Sequence, residues 1–469
     1  MMNNRILQSL ETIVGSTNVF ADLADRICHS YDATGQEYLP DVVVHAETTA
    51  QIAQIVKLAN AEKIPVIPRG AGSGFSGGTL PVEGGIVLVL TGMDRIISID
   101  EDNLVAIVQP GVITAKLQEE VEKLGLFYPP DPASLDFSTL GGNVAECAGG
   151  PRCVKYGVTK DYVIGMEVVT PTGEIIHAGG TTMKNVVGYD LTKLFTGSEG
   201  TLGIITEITL KLLPKPEGKK TMLAQFTSID GAAEAVSAII RGKIIPTTLE
   251  FLDATTIECL RKGSGLDIPV ECRAVLIIEV DGDLDILDKQ TQRIADIIQP
   301  LGVLTTRIAE TAQESDDIWK LRRSVSPSLR NVAPDKFNED IVVPRSKVPD
   351  MIRALESISK IYDIPIVNFG HAGDGNIHVN VMVDLSVVGM QQKVDNALDD
   401  IFQATLDLGG SVSGEHGIGI TKAPYISMEL DEATRNFMQQ IKKALDPNNI
   451  MNPGKIFPGT KISNSLSDH

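Results

Sequence analysis

The stretch Pro68-Arg69-Gly70-Ala71-Gly72-Ser73-Gly74-Phe75-Ser76-Gly77-Gly78 does most to limit the folds open to this chain of 469 residues. It follows the strand-like Ile64-Pro65-Val66-Ile67, and before that Ile52, Ile55, Val56 and Ala59 recur at helical spacing. Gly72-x-Gly74-x-x-Gly77 matches the dinucleotide fingerprint letter for letter. That fingerprint needs a helix directly after its glycines. Here Pro81, Gly84 and Gly85 lead into another strand, Ile86 to Leu90, so a Rossmann domain is rejected. The chemistry of the loop survives the rejection. Successive small residues present backbone N–H groups to an anion, and Arg69 adds a fixed positive charge. A pyrophosphate cradle is the natural use, and a tight structural turn is the competing one.

A second glycine-rich constellation carries side-chain chemistry. Gly370-His371-Ala372-Gly373-Asp374-Gly375-Asn376-Ile377-His378-Val379-Asn380 precedes Ser413-Gly414-Glu415-His416-Gly417. From Ile377 onward the residues alternate, so His378, Asn380 and Met382 share one strand face and Ile377, Val379 and Val381 the other. His371 lies in the turn before that strand, within reach of His378. Neutral imidazoles with a carboxylate are the donor set of an open, catalytic divalent-metal site, which makes His371, His378 and Glu415 candidate ligands. Neighbours in extended chain point apart, so Glu415 binds the ion while His416 faces a substrate as a base. Satisfied core histidines in ordinary turns are the bland alternative. Three of the chain's seven histidines falling in these turns argue against it.

The length implies two or more domains. A net charge of −20 argues against nucleic acid and anionic membrane as partners, while a local Arg still serves a small anion. No secretory leader and no apolar run of membrane-spanning length is evident, so a cytoplasmic protein is expected. Cys28, Cys147, Cys153, Cys259 and Cys272 lack iron–sulfur or zinc spacing and read as reduced thiols.

Pro214-Lys215-Pro216-Glu217-Gly218-Lys219-Lys220 is the best boundary. Beyond it a strand near Met222 to Phe226 precedes a helix opened by Asp230, and a strand over 274–280 precedes a helix over 286–298. This order predicts an α+β domain, an antiparallel sheet with helices on one side. Phe437, Ile441 and Leu445 mark a last helix, and the polar tail from Thr460 is expected to fray. In Trp319-Lys320-Leu321-Arg322-Arg323-Ser324-Val325-Ser326, Arg322 and Ser326 would share one helical face. A guanidinium there forks onto a carboxylate and a hydroxyl adds a third bond, against the alternative of a solvated surface Arg pair.

Taken with the first loop, Tyr128-Pro129-Pro130-Asp131-Pro132, Thr139-Leu140-Gly141-Gly142-Asn143 running into Ala148-Gly149-Gly150, Lys155-Tyr156-Gly157, Thr196 to Ile205 (TGSEGTLGII) and Asp446-Pro447 to Asn452-Pro453-Gly454-Lys455 stand in the order found in one family. The chain resembles the vanillyl-alcohol oxidase (p-cresol methylhydroxylase) family of FAD enzymes over nearly its whole length. The resemblance implies a two-subdomain FAD-binding domain over 1–215, a ferredoxin-like α+β cap over 216–430 and a helical segment over 431–469 returning to the flavin domain. It implies that FAD lies on Arg69, Gly70, Ala71, Gly72, Ser73 and Gly74. Pro130, Asp131, Leu140, Gly141, Asn143, Ala148, Gly149, Gly150, Gly200, Gly203, Ile204 and Ile205 would line it, with Asn452 near the isoalloxazine. The loop offers no His or Cys for a covalent link, so the FAD is expected to be non-covalent.

Within that family the chain is similar to D-2-hydroxy-acid dehydrogenases, among them D-lactate and D-2-hydroxyglutarate dehydrogenases and the flavin subunit of glycolate oxidase. Such relatives place an Arg and a Ser or Thr at Arg322 and Ser326 for the substrate carboxylate, and a Lys downstream, for which Lys336 and Asn338 compete. The expected reaction is oxidation of a small D-2-hydroxy acid, D-lactate or glycolate, to the 2-oxo acid. A divalent ion (Zn, Mn or Fe) on His371, His378 and Glu415 would acidify the hydroxyl, and His416 would take the proton. Arg322 would fix the acid, and Asn380 would bond substrate or orient a ligand. Electrons would leave to a quinone, a cytochrome, an electron-transferring flavoprotein or an iron–sulfur subunit. The alternatives are a flavin subunit inactive without partners, a metal-dependent hydrolase, and an oxidase reacting with O2. A homodimer and peripheral membrane attachment through a partner both stay open.

Overall fold

The computed structural model describes residues 2–263 and 268–457, so the tail from Thr460 lies outside the described residues. The chain forms two compact units: Met1–Ala148, Val158–Lys215 and Glu415–His469 make the first, and Gly149–Gly157 with Pro216–Gly414 make the second.

In the first unit, β1 (Val19–Phe20), β2 (Val42–His45), β3 (Val66–Arg69) and β4 (Ile86–Val89) form a sheet ordered β1-β2-β4-β3, with β2 and β3 both parallel to β4. The helix Thr49–Glu62 starts at a Thr48–Gln51 capping box, and it buries Ile52, Ile55, Val56 and Ala59 against this sheet's Val42, Val44, Val66, Ile86 and Leu88. The glycine loop thus connects strand to strand, as expected once a helix was excluded. A second, antiparallel sheet contains β5 (Ile96–Asp100) and β6 (Val105–Val108). After the short β7 (Leu126–Phe127), it continues with β8 (Val163–Val169), β9 (Ile175–Gly179) and β10 (Ile204–Lys211), in the order β5-β6-β10-β8-β9. β11 (Leu213–Pro214) pairs with β7.

The second unit is built on seven antiparallel strands: β12 (Gly218–Phe226), β13 (Thr248–Leu252), β14 (Ala274–Gly282), β15 (Val303–Ile308), β16 (Asp335–Val342), β17 (Ile366–His371) and β18 (Asn376–Val383). Their order is β15-β12-β14-β13-β17-β18-β16. The mixed helix and sheet architecture agrees with expectation, but helices cover both faces of this sheet and not one. Leu252, Val275, Ile277 and Phe369 pack with Leu260, Ile318 and Leu321 on one face. On the other, Phe251 and Leu276 meet Ala232, Ala233 and Val236. Central strands buried on both sides read as continuous apolar runs such as Ala274 to Ile278, which hide the second face from a search for alternation. The helix Ile229–Arg241 is capped by Ser228, whose oxygen accepts the Gly231 N–H, and Asp230 falls in its first turn.

Candidate functional site

The sheet register of the second unit gathers a polar patch on one face. His371 pairs across with Glu250 of β13, Phe369 with His378, and His378 on its other side with Asp340 of β16. Cross-strand partners lie on the same face of a sheet. Glu250, His371, His378, Asp340 and Asn380 are all buried. The Nε2 atoms of His371 and His378 lie 3.3 Å apart. The Glu250 carboxylate holds the Nδ1 of His371 with one oxygen, and with the other it accepts the Nε–H of Arg322 at 2.7 Å. Burial drives the Glu250 carboxyl upward, but the charges of His371 and Arg322 and their hydrogen bonds outweigh it, so it stays below the ordinary carboxylate range. Arg322 also lies over the Phe369 ring at 4.7 Å.

The pair of imidazoles fits a divalent ion. Metal–nitrogen bonds of about 2.1 Å at a tetrahedral angle place two donors roughly 3.4 Å apart, close to the separation found. A carboxylate on Nδ1 fixes the tautomer that offers Nε2 as ligand.

Other expected residues take different places. Asn380 has its amide committed: Nδ2 donates to the Val367 and His378 carbonyls, and Oδ1 accepts from Asn338. It braces the sheet beneath the histidines. Lys336 and Asn338 occupy alternate positions of β16, opposite Met382 and Asn380, so both lie on the histidine face. The helix bearing Arg322 ends at Arg323, and the exposed Ser326 belongs to a separate short helix, Val325–Ser328. Gly149 and Gly150 travel with the second unit.

In the first unit, Arg69 turns inward. Its guanidinium donates to the Tyr31 carbonyl at 2.8 Å and to Thr79 Oγ1 at 3.1 Å, so it shapes the glycine loop from within. Gly77 holds φ at 77°, and a Cβ there would collide with Ile420. Such a small-residue loop with left-handed turns gathers N–H groups toward one anion, which fits a pyrophosphate. Pro130 and Asp131 are buried, and Gln118 donates to the Pro130 carbonyl at 2.8 Å. Leu140, Gly141 and Asn143 form the start of the helix Leu140–Glu146, capped by Thr139, and Asn143 donates onward to Thr114 Oγ1. The Ala148 carbonyl accepts the Thr159 hydroxyl. Gly200 and Gly203 lead into β10, which begins at Ile204 and Ile205. Asn452 donates to the carbonyls of Gly78 and Glu199, 2.7 Å each, stitching the C-terminal segment to the end of the glycine loop. The same segment brings His416 against Phe75 of that loop, with ring centroids 5.3 Å apart. Glu199 accepts the N–H groups of Ile418 and Gly419 at 2.7 Å, which fixes the backbone just after His416.

Glu250 and Asp340 escaped the sequence reading. A carboxylate at the centre of the apolar strand Thr248-Leu249-Glu250-Phe251-Leu252 was the available signal, because a buried charge persists only with partners.

Comparison with known proteins agrees with this architecture. Residues 40–179 match the FAD binding domain, and residues 215–456 match the C-terminal domain of the FAD linked oxidases. The chain belongs to the FAD-linked oxidase family. It is 45% identical to the glycolate oxidase subunit GlcD of Bacillus subtilis (strain 168), over 97% of each chain. It is 36% identical to the D-lactate dehydrogenase of Anaerostipes hadrus, over 89% of each. Its fold is that of p-cresol methylhydroxylase, with a TM-score of 0.81 at 20% identity over 97% of both chains. The resemblance read from the motifs is borne out, and with it a flavoprotein oxidoreductase. Among the described residues no helix is long and apolar enough to cross a membrane.

Proposed function

We propose that this FAD-linked oxidase converts a small D-2-hydroxy acid, D-lactate or glycolate, to its 2-oxo acid with the help of a divalent cation, and passes the electrons to a separate acceptor. The observation that carries the reading is the pair of Nε2 atoms 3.3 Å apart beside a carboxylate that also holds Arg322, since a metal donor pair and an acid-binding cation then share one sheet face. The names of the relatives, a glycolate oxidase subunit and a D-lactate dehydrogenase, point to the same substrate class.

When bound, FAD supplies the acceptor for the Cα hydride, and the cation supplies a Lewis acid for the hydroxyl. The chain does the rest. His371 and His378 hold the cation, with Glu415 as third ligand. Arg322 presents its Nη side to the substrate carboxylate, its Nε being held by Glu250. His416 takes the hydroxyl proton. Glu415 and His416 come directly after Gly414, whose N–H is accepted by Asp340 at 2.9 Å on the same face. FAD is held without a covalent bond, because residues 68–78 contain neither His nor Cys.

The test is anaerobic titration of the purified yellow protein with D- and L-2-hydroxy acids, with and without chelator. Bleaching by D-lactate or glycolate that slows on chelation is expected. A protein unable to bind FAD, or bleaching indifferent to exhaustive demetallation, overturns the proposal. The GlcD name favours a second reading, a flavin subunit idle without its partners. Turnover with an artificial dye by the chain alone rejects it.

A further inference from the structure

Glu250 is fully buried, and each of its two oxygens serves a different function of the proposed site, one on His371 Nδ1 and one on Arg322 Nε. Both links are charge-assisted, and both draw on the same electron density. We propose that Glu250 is a positioning residue that couples the cation on His371 and His378 to the acid on Arg322, so that occupancy of either place strengthens the other. The inference rests on the proposed function for the identity of the two ligands.

The coupling arises from the geometry. A cation on His371 Nε2 makes Nδ1–H a stronger donor and draws Glu250 charge toward that oxygen. The hold on Arg322 Nε weakens, and the guanidinium gives more of its charge to an incoming carboxylate. In reverse, an acid on Arg322 returns Glu250 charge to His371 and makes its imidazole the better ligand. Linkage requires the two effects to be equal. Among the described residues Glu250 is the group bonded to both His371 and Arg322, whereas Asp340 accepts from Asn376 and Gly414, and Asn380 from Asn338.

The experiment measures Mn2+ affinity of the FAD-loaded chain by competition with a chromogenic chelator, with and without propionate, a monocarboxylate lacking the 2-hydroxyl. In the native chain propionate is expected to tighten Mn2+ binding about fivefold or more. Glu250→Gln offers one acceptor and one NH2 to two donors. It should weaken Mn2+ binding about 10- to 100-fold and abolish the response to propionate. Glu250→Asp, which keeps both oxygens, should retain part of the response, and this guards against simple misfolding. Propionate that bound the cation directly would act equally on Glu250→Gln, and that result overturns the proposal. So does Mn2+ affinity unchanged in that variant. Flavin bleaching by 2-hydroxy acids is read separately: failure to bleach with the propionate response intact sinks the proposed reaction and leaves the coupling standing.

Discussion

Glu199 is a buried carboxyl of the first unit and Glu146 a half-buried one whose second oxygen is shielded from solvent, and their support is unequal. Glu199 accepts two backbone N–H groups, from Ile418 and Gly419. Glu146 meets Ser76 Oγ at 3.3 Å with one oxygen, and its other oxygen has no partner among the described residues. Burial, and then the charge of Glu199, push the Glu146 carboxyl well above its ordinary value of 4.5. Burial also raises Glu199, against the pull of its two N–H donors. The folded chain therefore keeps a proton on Glu146 that the unfolded chain releases. Its stabilising contribution is full below the ordinary value and is lost as pH climbs through the raised one. Glu146→Gln, neutral at every pH, should match the native Tm at about pH 5 and exceed it at about pH 9, by roughly 1–2 °C per kcal/mol. Thermal melts of the FAD-loaded proteins at the two pH values give the comparison. A native protein that gained on the variant as pH rose would mean that Glu146 is charged in the fold.

At the scale of elements, the hairpin of β17 and β18 carries both histidines, and its four-residue turn decides whether they meet. Gly375 holds φ at 92°, and a Cβ there would overlap the Val343 carbonyl. Gly389, at φ 82°, has open space around the same position. Gly389→Ala should cost only about 1 kcal/mol of left-handed strain, while Gly375→Ala adds a backbone collision and should cost at least about 3 kcal/mol and abolish tight metal uptake. Chemical denaturation and metal content separate the two, and equal costs would show that the Val343 carbonyl yields to a Cβ at Gly375. The second strand was legible because its pattern is local, with His378, Asn380 and Met382 alternating on one face, but His371, expected in the turn, ends the strand β17 instead. Glu250 was not, because it stands 121 residues from His371 and only the β13–β17 pairing brings them together. The shared face of Arg322 and Ser326 assumed an unbroken helix. The helix bearing Arg322 instead ends at Arg323, capped by Ser324, and a new one begins at Val325. The glycine loop was legible through the residues on its C-terminal side, since Pro81, Gly84 and Gly85 forbid the helix that a Rossmann turn requires.

For the whole molecule, the breaker-rich run Pro214 to Lys220 announces the passage into the second unit at Pro216. The excursion of Gly149–Gly157 into that unit has no such marker, because its ties lie far off in sequence. They converge on Asp281, a buried carboxylate 126 residues from Lys155. Asp281 takes the Lys155 ammonium and the Thr247 hydroxyl on one oxygen and the Tyr156 hydroxyl at 2.9 Å on the other. Asp281→Asn keeps the shape and removes the charge, stranding an ammonium that is 29% exposed. Breaking a fully buried pair costs about 3–5 kcal/mol; partial exposure reduces this to roughly 2–3 kcal/mol here. Adding Lys155→Met removes the stranded charge, so the double variant should recover about 1 kcal/mol of the loss. Trypsin offers a local reading, since Arg152 lies within the excursion. Cleavage after Arg152 should quicken in Asp281→Asn and slow again in the double variant. Strictly additive losses, with cleavage rates that ignore Asp281, would show that the excursion is held by its apolar contacts and not by this carboxylate.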